Sequence, residues 1–353
     1  FGDVMRGGFT AGLAMVTLAI LAGPLPVVGS ARAATHHAKQ RPSLQAFLLS
    51  SAPDSLEDFK THAGSVGVVY PTYFDCEVPS GKVIGKDIPA TTAYIRERHI
   101  AVEPRFNCQD GATVHRILTD PTLRAATLAR LIAIVRTRHY GGLCLDLEND
   151  GAADREALNS FVTSLARWLH HHGKKLAVVV SGVSSDNTKI STGFYDDRTL
   201  GAVADSVFVM GWGTHWAGSG PGPISLLSYV SAVARYVKSL PNASRFVLGA
   251  PMYGLDWAGE GGPENMATAY QYSGMRALVR SVGATPVRDP ASGELTFTYT
   301  AADGVAHTVW YMDARTVLDI LDIARANGLA GGLWRLGKED QALWRAGPLR
   351  RGE

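Results

Sequence analysis

Three cysteines in 353 residues are too few to staple a small secreted scaffold together, so the core must come from packing. A formal net charge of +2 provides neither a basic face for nucleic acid nor a strong pull toward an acidic membrane surface, and neither is expected as a partner. The chain also lacks an internal repeat, a separate wall-binding module and any His-x-x-His spacing of the kind that organises a metal site. What remains is a length that one large α/β domain with an insertion would use in full.

The one long apolar run stands at the front. It follows Arg6, extends from about Phe9 to Val28, is broken by Gly23, Pro24 and Pro26, and leads to the small residues of Ala31-Arg32-Ala33. Residues 1–33 are therefore expected to be a cleaved export signal, with 34–42 a polar, basic linker. On this reading the protein is secreted or cell-wall associated, without stable membrane insertion, and its cysteines meet an oxidising compartment.

Beyond the linker, strands alternate with helices. Strands are expected at Gln45–Leu49, Val66–Tyr73, Ile100–Phe106, Tyr140–Asp150, Lys175–Ser181, Val207–Trp212, Phe246–Met252 and Leu329–Leu336. Between them, Asp120 caps a long helix that has Pro121 at its first position. Leu158, Phe161, Val162, Leu165 and Leu169 mark one face of another, which stops at Gly173. Eight strands with helical crossovers predict a (β/α)8 TIM barrel over residues 43–345. Residues 257–312, with the alternating run Leu295–Tyr299, do not fit the repeat and read as a small α+β insertion between strands seven and eight. Cys76 and Cys108 follow strands two and three, which are neighbours in a barrel, so they are expected to form a disulfide, leaving Cys144 a buried free thiol.

The fourth strand, Y-G-G-L-C-L-D-L-E-N-D, organises the rest. Leu143, Leu145 and Leu147 alternate with Cys144, Asp146 and Glu148, so two carboxylates project from one side near the strand's end. Burying an acid pair on such an alternation is costly, which points to chemistry, although a salt-bridged core pair is the plainer alternative. Two residues apart on one strand, the pair cannot flank a bond from opposite faces, as the usual two-carboxylate glycosidase requires. It suits one general acid, Glu148, held and tuned by Asp146, because a neighbouring like charge raises the pKa of one member.

This stretch resembles the D-G-x-D-x-D-x-E motif of glycoside hydrolase family 18, the chitinase-like family, and most closely its bacterial branch of spore-cortex and peptidoglycan N-acetylglucosaminidases. Gly142, Asp146 and Glu148 match, while Gly141 and Cys144 stand where the motif has its first two Asp residues. Met210-Gly211-Trp212-Gly213-Thr214-His215-Trp216 looks like the family's M-T-Y-D-E-H-W, and Gly249 to Trp257 is similar to its G-x-P-x-Y-G-Y-D-W. His307, Val309, Trp310, Tyr311 and Asp313 resemble its H-x-V-W-Y-x-D run, and Gly331 to Gly337 its final strand.

The resemblance implies a retaining glycosidase cleaving β-1,4 bonds next to N-acetylglucosamine in peptidoglycan or chitin, with the substrate's acetamide as nucleophile and no metal or organic cofactor. Glu148 would be acid and then base, with Asp146 its partner; Trp334 would floor the subsite, and Trp212, Tyr253 and Met210 would line it. A monomer is expected. The family has Tyr and Asp where this chain has Trp212 and Gly213, which keeps a catalytically inactive glycan-binding barrel open as an alternative. A metal-dependent hydrolase is a second, with His215 as the third ligand beside Asp146 and Glu148.

Overall fold

The computed structural model describes residues 44–49, 53–148, 151–186, 191–337 and 339–345; the expected export signal and linker lie outside them. Eight barrel positions follow in chain order. They are β1 (Leu44–Leu48), β2 (Val66–Pro71), β3 in two pieces (Ala101–Val102 and Arg105–Cys108), β4 (Gly142–Leu147), β5 (Lys175–Ser181), β6 (Ser206–Met210), β7 (Phe246–Pro251) and β8 (Ala330–Leu336). Each pairs in parallel with the next, and β8 pairs back onto β1. The first piece of β3 pairs with β2 and the second with β4, so residues 101–108 close the ring of a TIM barrel. Pro104 lies at the break in β3: it has no N–H to give, and its carbonyl accepts from the Cys144 N–H at 3.0 Å.

The alternation of β4 sorts its side chains between two cores. Leu143, Leu145 and Leu147 pack outward among the helices, while Cys144 joins Phe47, Tyr70, Val179 and Phe208 inside the barrel. Phe208 fits there because β7 and β8 carry glycine beside it: a Cβ on Gly249 or Gly332 would stand 2.4 or 2.2 Å from its ring. Outside, the helix Arg155–His171 buries Leu158, Phe161, Val162, Leu165 and Leu169, the face its spacing predicts. The helix Pro121–Arg138 begins on Asp120, whose side chain accepts from the N–H groups of Thr122 and Leu123.

A second, antiparallel sheet of five strands makes the insertion, with the helix Tyr272–Ser281 packed on it through Met275 and Val279. It begins at Tyr253, before Trp257, because the chain leaves β7 at Met252 and resumes strand pairing at once, with Tyr253 opposite Gln271 and Gly254–Ala258 opposite Tyr311–His307. Cys76 and Cys108 form a disulfide with Cα atoms 5.2 Å apart, joining the short strand Phe74–Cys76 to the end of β3, and Cys144 is a buried free thiol. Among the described residues no helix is long and apolar enough to cross a membrane.

Candidate active site

Asp146 and Glu148 reach the carboxyl end of β4, the end at which barrel enzymes carry their chemistry. Asp146 is buried, and its Oδ2 accepts from Arg105 Nη1 at 2.9 Å. Its Oδ1 is buried without a hydrogen-bond partner among the described residues. Burial pushes the Asp146 carboxyl up to about 7; the Arg105 guanidinium pulls it back down, and the Glu148 charge adds to the rise. Glu148 is half-buried at the mouth, its N–H donating to the Cys108 carbonyl at 2.9 Å and its Oε1 accepting from Gln109 Nε2 at 2.6 Å.

Two chambers meet at Glu148. The smaller, about 210 Å³, is bordered by Asp146, Arg105, Phe47 and Trp334. The larger, about 520 Å³, is bordered by Ser181, Tyr195, Trp216 and Tyr229. Glu148, Gln109, Met210, Trp212 and Tyr253 border both. All six residues that the sequence singles out as catalytic or substrate-lining therefore come together. Trp334 packs edge-on against Phe47, with ring centroids 4.9 Å apart, and its face lies 5.2 Å from the Arg105 guanidinium. Burial raises the Tyr253 phenol, and Glu294 and Glu148 add to the rise.

His215 is not brought to the acid pair. Its Nδ1 lies 2.9 Å from the Pro223 carbonyl, and its ring covers Gly222, where a Cβ would meet it at 2.3 Å. Among the described residues no cluster of three or more His, Cys, Asp or Glu could hold a metal ion. The third ligand that a metal-dependent hydrolase would need is thus held elsewhere.

Three residues of the site escape a reading of the sequence. Arg105 carries the signal that marks Asp146, a charge on the inward alternation of a strand, opposite the inward-facing Cys144 of β4. Gln109 sits just past the same strand with nothing local to mark it. Glu294, in the insertion, is fully buried and accepts from the backbone N–H groups of Ile224 at 3.1 Å and Ser225 at 2.7 Å. The Ile224 carbonyl in turn accepts from the N–H groups of Gly213 and Thr214, at 2.9 and 3.1 Å. Glu294 thereby ties the insertion to the loop that follows Trp212. Burial pushes its carboxyl up to about 8, against the lowering effect of those two N–H donors.

The sequence profile described as "Glycosyl hydrolases family 18" matches residues 109–339, a stretch that contains both acids and Trp334. The putative sporulation-specific glycosylase YdhD of Bacillus subtilis is 31% identical over 226 residues, 63% of this chain but 53% of that protein, so the chain spans about half of that relative's length. A chitinase from Chromobacterium violaceum superposes with a TM-score of 0.76 at 28% identity, covering 86% of this chain and 97% of that one. The Bacillus cereus spore cortex-lytic enzyme SleL superposes with a TM-score of 0.76 at 21% identity over 88% of this chain and 73% of that one, a likeness of fold.

Proposed function

The chain belongs to family 18 of the glycosyl hydrolases, and from that footing we propose that it is a secreted or wall-associated glycosidase cutting β-1,4 bonds next to N-acetylglucosamine in peptidoglycan or chitin. The observation that carries this reading is the Asp146 Oδ1, a buried acceptor without a partner among the described residues, on a side chain that borders the smaller chamber, where Asp146 and Glu148 are the carboxylates among the described lining residues. A buried acceptor left open calls for a donor from a ligand. The acetamide N–H of a bound N-acetylglucosamine is such a donor.

The steps follow from that placement. The sugar rests its C–H face on Trp334, and Glu148 protonates the bridging oxygen as the bond to C1 breaks. The acetamide carbonyl oxygen closes onto C1 from the opposite face, supplying the nucleophile that a same-side acid pair cannot. Asp146 accepts from the acetamide N–H and stabilises the positive charge growing on that group. Glu148, now a carboxylate, removes a proton from water, which opens the cyclic intermediate with overall retention. Arg105 holds Asp146 in place through its Oδ2 and leaves its Oδ1 unengaged.

One observation favours a second reading, a glycan-binding barrel without catalysis. Trp212 borders both chambers where the family has a tyrosine, and an indole donates one hydrogen bond but accepts none. Release of reducing ends from peptidoglycan and from chitin oligomers, measured for the protein and for Glu148→Gln, separates the two. Cleavage by the first and about 10³-fold less by the second is expected. Binding by both with cleavage by neither would establish the sugar-binding barrel instead.

A further inference from the structure

On the proposed glycosidase reading, the polymer crosses the barrel mouth in a fixed direction. The sugar whose acetamide reacts lies in the smaller chamber, which Asp146 and Trp334 border. The sugar that departs enters the larger, where Glu148, Ser181 and Met210 stand at the ends of β4, β5 and β6. The part of the strand that stays behind therefore leaves the smaller chamber on the other side, past Trp334 on β8, which lies across the ring from β4.

Arg335, the next residue of β8, is half-buried where the barrel rim meets the insertion. Its Nη1 and Nη2 lie 3.3 and 3.1 Å from the Gln271 side-chain oxygen, with that amide oriented so that its nitrogen donates to the Gly337 carbonyl. Gln271 in turn stands opposite Tyr253, which borders both chambers. A neutral amide answers hydrogen bonds but not charge. Among the described residues no acid lies within ion-pairing distance of Arg335, whereas Arg105, whose guanidinium lies 5.2 Å from the Trp334 ring, is engaged by Asp146 at 2.9 Å and Asp75 at 3.7 Å. Burial lowers the Arg335 pKa, and the Arg105 charge lowers it further, so the charge felt there is of its own sign.

We propose that Arg335 binds a carboxylate on the sugar that precedes the reacting one, and that this carboxylate is the lactyl group of a muramic sugar whose peptide has been removed. A β-1,4 strand in which N-acetylglucosamine alternates with muramic acid, seated with N-acetylglucosamine in the smaller chamber, brings a muramic sugar to the Trp334 side. The Gln271 oxygen takes at most one hydrogen from each Nη, which leaves N–H groups of the planar fork for a second acceptor, and a carboxylate matches that fork. Chitin has no acid to offer there, and in a strand that keeps its peptides the lactyl carboxyl is an uncharged amide. Arg335 thus selects between the two polymers and places the reaction after an amide hydrolysis that strips the peptide.

The test uses the full chain and a disaccharide of muramic acid β-1,4-linked to N-acetylglucosamine that carries a chromogenic leaving group, as the free acid and as its methyl amide. kcat/KM is expected to favour the acid by about tenfold at low salt, the worth of one hydrogen bond between charged groups, and the preference should shrink as salt is raised. Arg335→Gln should bring the ratio close to one, and Arg335→Lys, which returns the charge without the fork, should restore part of it. Equal rates on acid and amide, preference for the amide, or a ratio unmoved by Arg335→Gln would overturn the proposal. The ratio in the unaltered protein decides even if Arg335→Gln does not fold. Calorimetric titration with the two free disaccharides reads the same preference without chemistry. If neither substrate is cleaved, the glycosidase reading fails, and the binding ratio still decides this one: tighter binding of the acid upholds it, and parity overturns it.

Discussion

The two chambers that meet at Glu148 are built on opposite terms. The smaller confines Asp146 and Arg105 against Trp334, with charges fixed by ion pairing at 2.9 Å and little room to relax. The larger has more than twice the volume, about 520 Å³ against about 210 Å³, and among the described residues that line it no charge beyond the acid the two share. The difference separates two tasks. Stabilising a developing cation needs dipoles and charges held in advance in a dry pocket, whereas seating a departing sugar needs shape and stacking surface. Substitutions in the first should therefore act on kcat and its pH profile, and substitutions around the second on KM.

The sharpest way to break that division is Asp146→Asn. An amide keeps the shape but cannot carry the charge that answers the developing positive acetamide, and kcat is expected to fall about 10²-fold with KM little changed. Steady-state kinetics on a chitin oligomer would show it; a change confined to KM would erase the contrast. The same variant bears on pH. Burial raises the Asp146 carboxyl to about 7, so the charge that Asp146 must carry is present above that pH and lost below it, and activity of the unaltered protein should decline as pH falls through about 7.

Arg105→Met sharpens the comparison by a smaller step. The guanidinium lowers the Asp146 pKa, so removing it should move the acid-side decline to higher pH while costing up to about tenfold in kcat. A pH–rate profile that shifts downward instead would show that Arg105 does not act through Asp146.

Smallest is the effect expected from the larger chamber's wall. Glu294→Ala strips the acceptor from two buried backbone N–H groups, at Ile224 and Ser225, and should lower stability by about 3 kcal/mol. With the loop after Trp212 loosened, KM should rise several-fold and kcat stay within about twofold. Thermal melts alongside kinetics would test both, and an equal fall in kcat would mean that the wall takes part in the chemistry.

These residues also show what a sequence discloses. Asp146 was visible because a charge on an apolar period-two strand has no cheap explanation, and the disulfide because barrel neighbours follow from strand order. Arg105 offered the same signal as Asp146, and assigning inward and outward faces along its strand would have found it. Glu294 had no local mark: it is one acid in a turn, and its meaning lies in backbone groups about 70 positions away in the chain. The start of the insertion was hidden differently. Tyr253 to Trp257 continues the apolar character of β7 with Met252 alone between the two strands, so no turn residue announces the change of sheet. The nine-residue helix Gly111–Thr119 also went unread beside the far longer one that Asp120 and Pro121 announce, although Asp110 caps it by accepting from the Thr113 N–H.

The central claim is that the acid pair works from one side and the substrate brings its own nucleophile. It is tested most directly by comparing the cleavage rate of a β-1,4-linked N-acetylglucosamine oligomer with that of its counterpart bearing a hydroxyl in place of the acetamide at the sugar that occupies the smaller chamber. Cleavage is expected of the acetamide-bearing oligomer alone, because Asp146 and Glu148 stand on one side of the bond and leave the far face of C1 to the substrate. Comparable rates on the two oligomers would contradict it.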